Sequence, residues 1–192
     1  MTTGISELLE AASREAAPVV RGLRDDQLGA PTPCAEYAVG DLFNHLLHVV
    51  IGFQAVAARK EADFTTTPDY LKGDWRGRFS DETARLVQAW AAPGADEGTA
   101  GSMNLSARTL GSMVLLDLTV HAWDLARATG QRFTPDPASI GALAALVEEM
   151  APTARQMKVF GDPLPVPDGA SAFDALLAAT GRDTGWRAPA SA

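Results

Sequence analysis

A chain of 192 residues, 46% hydrophobic and 21% charged, can bury a sizeable core and is not a disordered polypeptide. A formal net charge of −8 without any Lys/Arg cluster argues against a nucleic-acid surface, and the single cysteine, Cys34, excludes an internal disulfide. The acidic N-terminus lacks the basic start and apolar run of a secretory signal, and the most apolar stretch, 42–58, falls short of the roughly 20 apolar residues of a membrane span. A cytoplasmic protein with neither a membrane nor a nucleic-acid partner is therefore expected.

Apolar residues at helical spacing (Ile5, Leu8, Leu9, Ala12, Ala16, Val19, Val20, Leu23) predict a first helix, in which Pro18 would introduce a kink or an early break near Ala17. The turn-rich segment 29–34 precedes a second helix from Val39 to about Lys60, with Asp41 at the positive end of its dipole. Residues 61–79 read as a connection rich in Asp, Thr, Gly and Pro. A third helix starts at Ser80 and stops at Pro93-Gly94, and 94–107 reads as a loop with a short extended piece. A fourth helix, Arg108 to Thr129, is apolar almost throughout and closes at Gly130. A fifth pattern (Ile140, Leu143, Leu146, Val147, Met150) follows Pro135-Asp-Pro137, and a short last one spans Ala172 to Thr180. No stretch alternates with period two, so an all-α antiparallel bundle is expected, the long connections forming walls of a cleft.

Within the fourth helix Asp117 and His121 stand four residues apart, about 40° from one another around the axis, so both project from one face. Their apolar neighbours imply a buried carboxylate, which needs a partner. Taken alone, this spacing fits equally a structural ion pair or two ligands of one metal ion, for which the second helix offers His45 and His48. Asp41 and His45 repeat the spacing, but Asp41 lies in a first turn, where a solvated carboxylate is stabilised without any metal.

Four segments, Thr32-Pro-Cys-Ala-Glu-Tyr37, Asp41-Leu-Phe-Asn-His45, His121-Ala-Trp-Asp-Leu-Ala-Arg-Ala-Thr-Gly130 and Phe160-Gly-Asp-Pro-Leu-Pro-Val-Pro167, resemble the actinobacterial metal-binding proteins related to the N-terminal domain of mycothiol-dependent maleylpyruvate isomerase. The resemblance covers nearly the whole chain. It implies a DinB-like four-helix bundle with additional short C-terminal helices, forming a single domain over 1–192 with its core at about 5–160 and an extension at 161–192. It also implies three metal ligands: His45, eight residues after the aromatic Tyr37, together with Asp117 and His121. The isomerase carries Glu where this chain has Asp117. It also has a C-terminal domain contributing to its active site, for which this chain is too short, so isomerase activity itself is not implied.

Two imidazoles and a carboxylate leave a divalent ion with an open position, a catalytic layout. Zinc is the expected ion, and nickel, cobalt and iron suit the same donors. The first functional reading is a thiol transferase or thiol-dependent isomerase that presents a thiol such as mycothiol to a small electrophile. The second is a small-molecule hydrolase with His48 as general base, and the third a metal-containing binding or stress protein without turnover. His48 reads more simply as a hydrogen-bonded surface histidine, Cys34 as a packed and inert thiol, Asp124 with Arg127 as a helix-end ion pair, and Trp123 as core or interface. Trp75 and Trp90 have no assigned place, and a homodimer would be ordinary for such a bundle.

Overall fold

The computed structural model describes residues 3–101 and 104–189. Four helices make the bundle: α1 (Ile5–Arg21), α2 (Val39–Ala57), α3 (Trp75–Trp90) and α4 (Ala107–Thr129). Two more, α5 (Pro137–Gln156) and α6 (Ala172–Ala179), pack on its flank. Between α3 and α4 a two-stranded antiparallel ribbon, β1 (Thr99–Ala100) and β2 (Leu105–Ser106), supplies the short extended piece expected there. The all-α, DinB-like architecture is thus the observed one.

Helix α1 and helix α2 sit at opposite corners, and each packs on both α3 and α4. Their directions follow from contacts near their ends. Ile5 and Trp90 meet at Gly111, so the start of α1, the end of α3 and the start of α4 share one end of the bundle. At the other end Arg76 donates to the Leu23 carbonyl, while the aromatic rings of Phe43 and Trp75 lie 4.6 Å apart. Helices α1 and α4 therefore run one way and α2 and α3 the other. Because α2 and α3 are parallel neighbours, residues 58–74 must climb the full length of the bundle between them.

That climb is held by one face of α2, spaced four residues apart. Phe64 fills the space above Gly52, His48 binds the Asp63 carbonyl (2.8 Å) and the Tyr70 hydroxyl (3.1 Å), and Asn44 accepts from Tyr70 N (2.9 Å). Among the described residues α2 alone is long and apolar enough to cross a membrane, at 19 residues and mean hydropathy 1.2, but it is the core helix of the bundle.

Three local expectations are corrected. Helix α3 begins at Trp75, five residues before Ser80, because Asp74 caps it by accepting from Gly77 N (2.9 Å). The buried Trp75 ring then anchors this turn on Phe43. Helix α1 runs unbroken through Pro18, which lies in its last turn, where only one backbone hydrogen bond is lost. Helix α5 likewise tolerates Pro152 and reaches Gln156, well past Met150.

Gly111 is a tight joint of the core, between buried side chains: a methyl group there would lie 2.6 Å from Ile5 Cγ1 and 3.0 Å from Trp90 Cζ3. Overpacking a core costs about 1–3 kcal/mol, against the roughly 1 kcal/mol that Ala gains over Gly by helix propensity. Gly111→Ala should therefore lower the urea midpoint, by up to about 2 kcal/mol of stability. Gly141→Ala, exposed in α5 with nothing within 4 Å, should raise it by about 0.5–1 kcal/mol. Equal shifts of the two midpoints would contradict this packing.

Candidate metal centre

The neighbouring face of α2, about 100° round the axis, turns His45 toward α4. Its ring is stacked beneath Tyr37, with centroids 5.2 Å apart and planes at 21°, and meets His121 edge-on at 5.2 Å and 87°. Tyr37 is aimed by the turn before α2. There the buried Thr32 hydroxyl accepts from Cys34 N (3.1 Å) and lies 2.9 Å from the carbonyls of Cys34 and Tyr37. The Thr32-to-Tyr37 motif is therefore a folded bracket for the site.

The donor atoms of His45, Asp117 and His121 all lie within 4.8 Å of one another. His121 Nε2 and Asp117 Oδ1 are 3.4 Å apart. Ligands about 2.1 Å from one tetrahedral ion are separated by about 3.4 Å, so this edge already has the length an ion requires.

The tautomer of His121 strengthens the fit. Asp124, fully buried, accepts a hydrogen bond from His121 Nδ1 at 3.0 Å. With the proton on Nδ1, neutral His121 presents a lone pair at Nε2 to the Asp117 carboxylate, and two electron-rich atoms face each other. A proton or a cation must lie between them. Without an ion the proton serves: burial disfavours the imidazolium, yet the hydrogen bonds and charges of Asp117 and Asp124 outweigh it and raise the His121 pKa above the ordinary histidine value. His45 moves the other way, lowered chiefly by burial with Asp117 partly opposing, so it stays a neutral donor at neutral pH.

Asp124 does not pair with Arg127 at the helix end. Its Oδ2 faces Arg182 Nη2 at 3.3 Å, and its Oδ1 is buried without a partner. Arg127 instead donates to the carbonyls of Thr184 and Trp186 and lies over the Trp123 ring. Arg182 also reaches the Thr180 carbonyl (3.2 Å) and the Cys34 sulfur (3.6 Å). It arrives on a backbone crossing that only glycine allows: at Gly181, with φ of 86°, a Cβ would stand 2.7 Å from Gly161 Cα. The sequence carries no local signal for Arg182, which is 58 residues from Asp124. The nearest hint is the Phe160-Gly161 pair of the recognised motif.

His48 lies outside this cluster. A carbonyl can only accept, so Nε2 carries the proton toward Asp63, and Nδ1 accepts from the Tyr70 hydroxyl. Both nitrogens are engaged in holding the 58–74 connection. Asp41 is exposed in the first turn of α2, as its position suggested.

The cluster opens into a cavity of about 920 Å³ between α2 and α4, bounded also by residues 59–64, 99–101 and 158–160. Both long connections thus wall the cleft.

Residues 9–126, from α1 to the last turns of α4, match the family described as mycothiol maleylpyruvate isomerase N-terminal domain. Two uncharacterized proteins of Mycobacterium tuberculosis, one from strain CDC 1551 and one from strain H37Rv, are each 33% identical over 175 residues, covering 86% of this chain and 91% of their own. No solved structure matches the chain significantly.

Cys34 is half-buried beside Arg182, and burial pushes its thiol above the ordinary cysteine pKa, with Arg182 only partly opposing. Since the thiolate is the nucleophile, a raised pKa means less of it at neutral pH. Alkylation of the native protein by iodoacetamide at pH 7.5 should be at least about tenfold slower than in urea, and should accelerate only above the usual thiol range. Fast, stoichiometric labelling at pH 7 would show an activated cysteine instead.

Proposed function

Because the chain belongs to the family of mycothiol maleylpyruvate isomerase N-terminal domains, we propose that it is a divalent-metal protein that uses a low-molecular-weight thiol against a small electrophile. His45, Asp117 and His121 hold the ion in this reading. The observation that carries it is the 3.4 Å approach of His121 Nε2 to an Asp117 carboxylate oxygen, beside a second imidazole and at the wall of a small-molecule-sized cavity. Zinc is the favoured ion, and nickel, cobalt and iron suit the donors. When bound, such an ion supplies a Lewis acid with open positions that lowers the pKa of a thiol reaching it.

The chain's own residues do the rest. Two neutral imidazoles and the Asp117 carboxylate bind. Asp124 holds His121 in the tautomer that frees Nε2, and Arg182 faces Asp124 from its other side. Helices α2 and α4 contribute apolar walls beside the donor cluster. The partner is a small molecule; the formal charge of −8 works against nucleic acid. Hydrolysis is the weaker reading, since it needs a free general base and both ring nitrogens of His48 are engaged.

Metal analysis of untagged protein should find about one divalent ion per chain, reduced in His45→Ala, Asp117→Ala and His121→Ala. Metal-dependent consumption of mycothiol with a panel of electrophiles is the functional expectation. Intact metal without thiol consumption would overturn the thiol reading, and hydrolysis without thiol would replace it.

Asp124→Ala and Arg182→Met should each weaken the metal, by roughly ten- to a hundredfold for the direct partner Asp124 and less for Arg182. A chelator competition with the folded variants reads this directly. Wild-type affinity in Asp124→Ala would remove its orienting role.

A further inference from the structure

The ligand-bearing faces of α2 and α4 do not end at the ligands. On α2 the row His45, Val49, Phe53, Val56 continues along the same side, and on α4 the row His121, Asp117, Met113, Leu110 runs back to meet it; all eight line the one cavity. Beyond the ligands the five others are apolar, and Leu110 lies seven residues from Asp117, about 10 Å along the helix. Polar groups are confined to the donor end and to the rim, where Glu36, Lys60, Glu61 and Lys158 stand exposed or half-buried. The shape is an apolar groove leading away from the candidate metal donors, open to solvent between charged lips.

We propose that this groove is the subsite for an extended, uncharged apolar arm of the substrate, whose reactive head lies at His45, Asp117 and His121. The inference rests on the metal reading above and adds the substrate class: molecules carrying a straight alkyl or similarly slender chain of up to about eight carbons, the length of a 10 Å groove. A small molecule is favoured over a protein partner because the apolar surface is recessed behind charged lips, and because 920 Å³ is the volume of a small-ligand site. Among the described residues no basic group faces the middle of the groove: the Arg59 guanidinium is spent on the carbonyls of Gly94, Ala95, Glu97 and Thr99, which keeps it at the far wall.

The test is a series of straight-chain alkanehydroxamates, which share a metal-binding head, titrated into the cobalt-loaded protein and followed by its visible spectrum. Affinity should rise about fourfold per methylene, the value of a buried CH₂, and level off near eight carbons. Met113→Trp, one turn from Asp117, should cut the series short at about four carbons while leaving the shortest hydroxamate bound as in wild type. Met113 is only partly buried, so the larger ring is tolerated. Ala62→Phe, in the connection crossing the far end, should affect only the longest chains and disturbs no helix. If the shortest hydroxamate fails to perturb the cobalt spectrum, the metal reading falls. If it binds but affinity is flat with chain length, or Met113→Trp weakens all lengths equally, the groove proposal is overturned. A sedimentation mass of two chains that returns to one in Met113→Trp would also overturn it, by giving the groove to a second copy.

Discussion

The hydrogen bond from His121 Nδ1 to the buried Asp124 carboxylate governs the polarity of everything around it. By fixing the tautomer it turns the Nε2 lone pair toward Asp117 and His45. By placing a negative charge in the bundle interior it demands Arg182 on its other side. A neutral asparagine at 124 would let the ring flip or exchange its proton, and the donor cluster would lose its common focus. The C-terminal segment is thereby tied to α4 through the Arg182 guanidinium, which also reaches Cys34, in addition to the bonds that Arg127 makes to the Thr184 and Trp186 carbonyls. Thus a stretch outside the 118 residues of the family match, 9–126, contributes the counter-charge of the centre.

Helix α2 serves two purposes with two faces. Gly40, Asn44, His48 and Gly52 carry the connection that links α2 to its parallel neighbour α3, while His45, Val49, Phe53 and Val56 face α4 and the cavity. The two rows are offset by one residue, about 100° around the axis. This division explains why neighbouring histidines at 45 and 48 have unlike environments. It also ties the site to the topology: the parallel pairing forces a long connection, and the long connection becomes the cavity wall.

Much of this was legible in the sequence, in proportion to how local its cause is. The four bundle helices follow from apolar spacing, since a helix reports its buried face every three or four residues. Asp117 and His121 were visible as a pair, and the resemblance added His45. The start of α3 was missed because its first turn, Trp-Arg-Gly-Arg, has no apolar row; it is held by the Asp74 cap and by a ring packed on Phe43, a contact between residues 32 positions apart. Arg182 was invisible for the same reason. Asp124 was seen but misassigned to Arg127: sequence proximity on a helix favoured the near arginine, whereas Arg127 leans out over Trp123 to bond the Thr184 and Trp186 carbonyls.

The cluster also explains why so much polarity survives inside an apolar bundle. Asp124 is fully buried with one oxygen unpartnered, and Asp117 faces His121 across 3.4 Å. A sequence selected for stability alone would replace such groups with apolar ones of similar volume, often at no cost. Arg182 faces Asp124, while Asp117, half-buried at the cavity rather than buried as its apolar neighbours implied, faces His121, whose pKa both acids raise. A divalent cation suits that arrangement better than a proton can, because it satisfies His45 as well as His121 and Asp117. Its binding free energy would therefore add to the stability of the folded bundle. In the proposed reading the polar residues are arranged for an ion, whose binding would offset the cost of their desolvation.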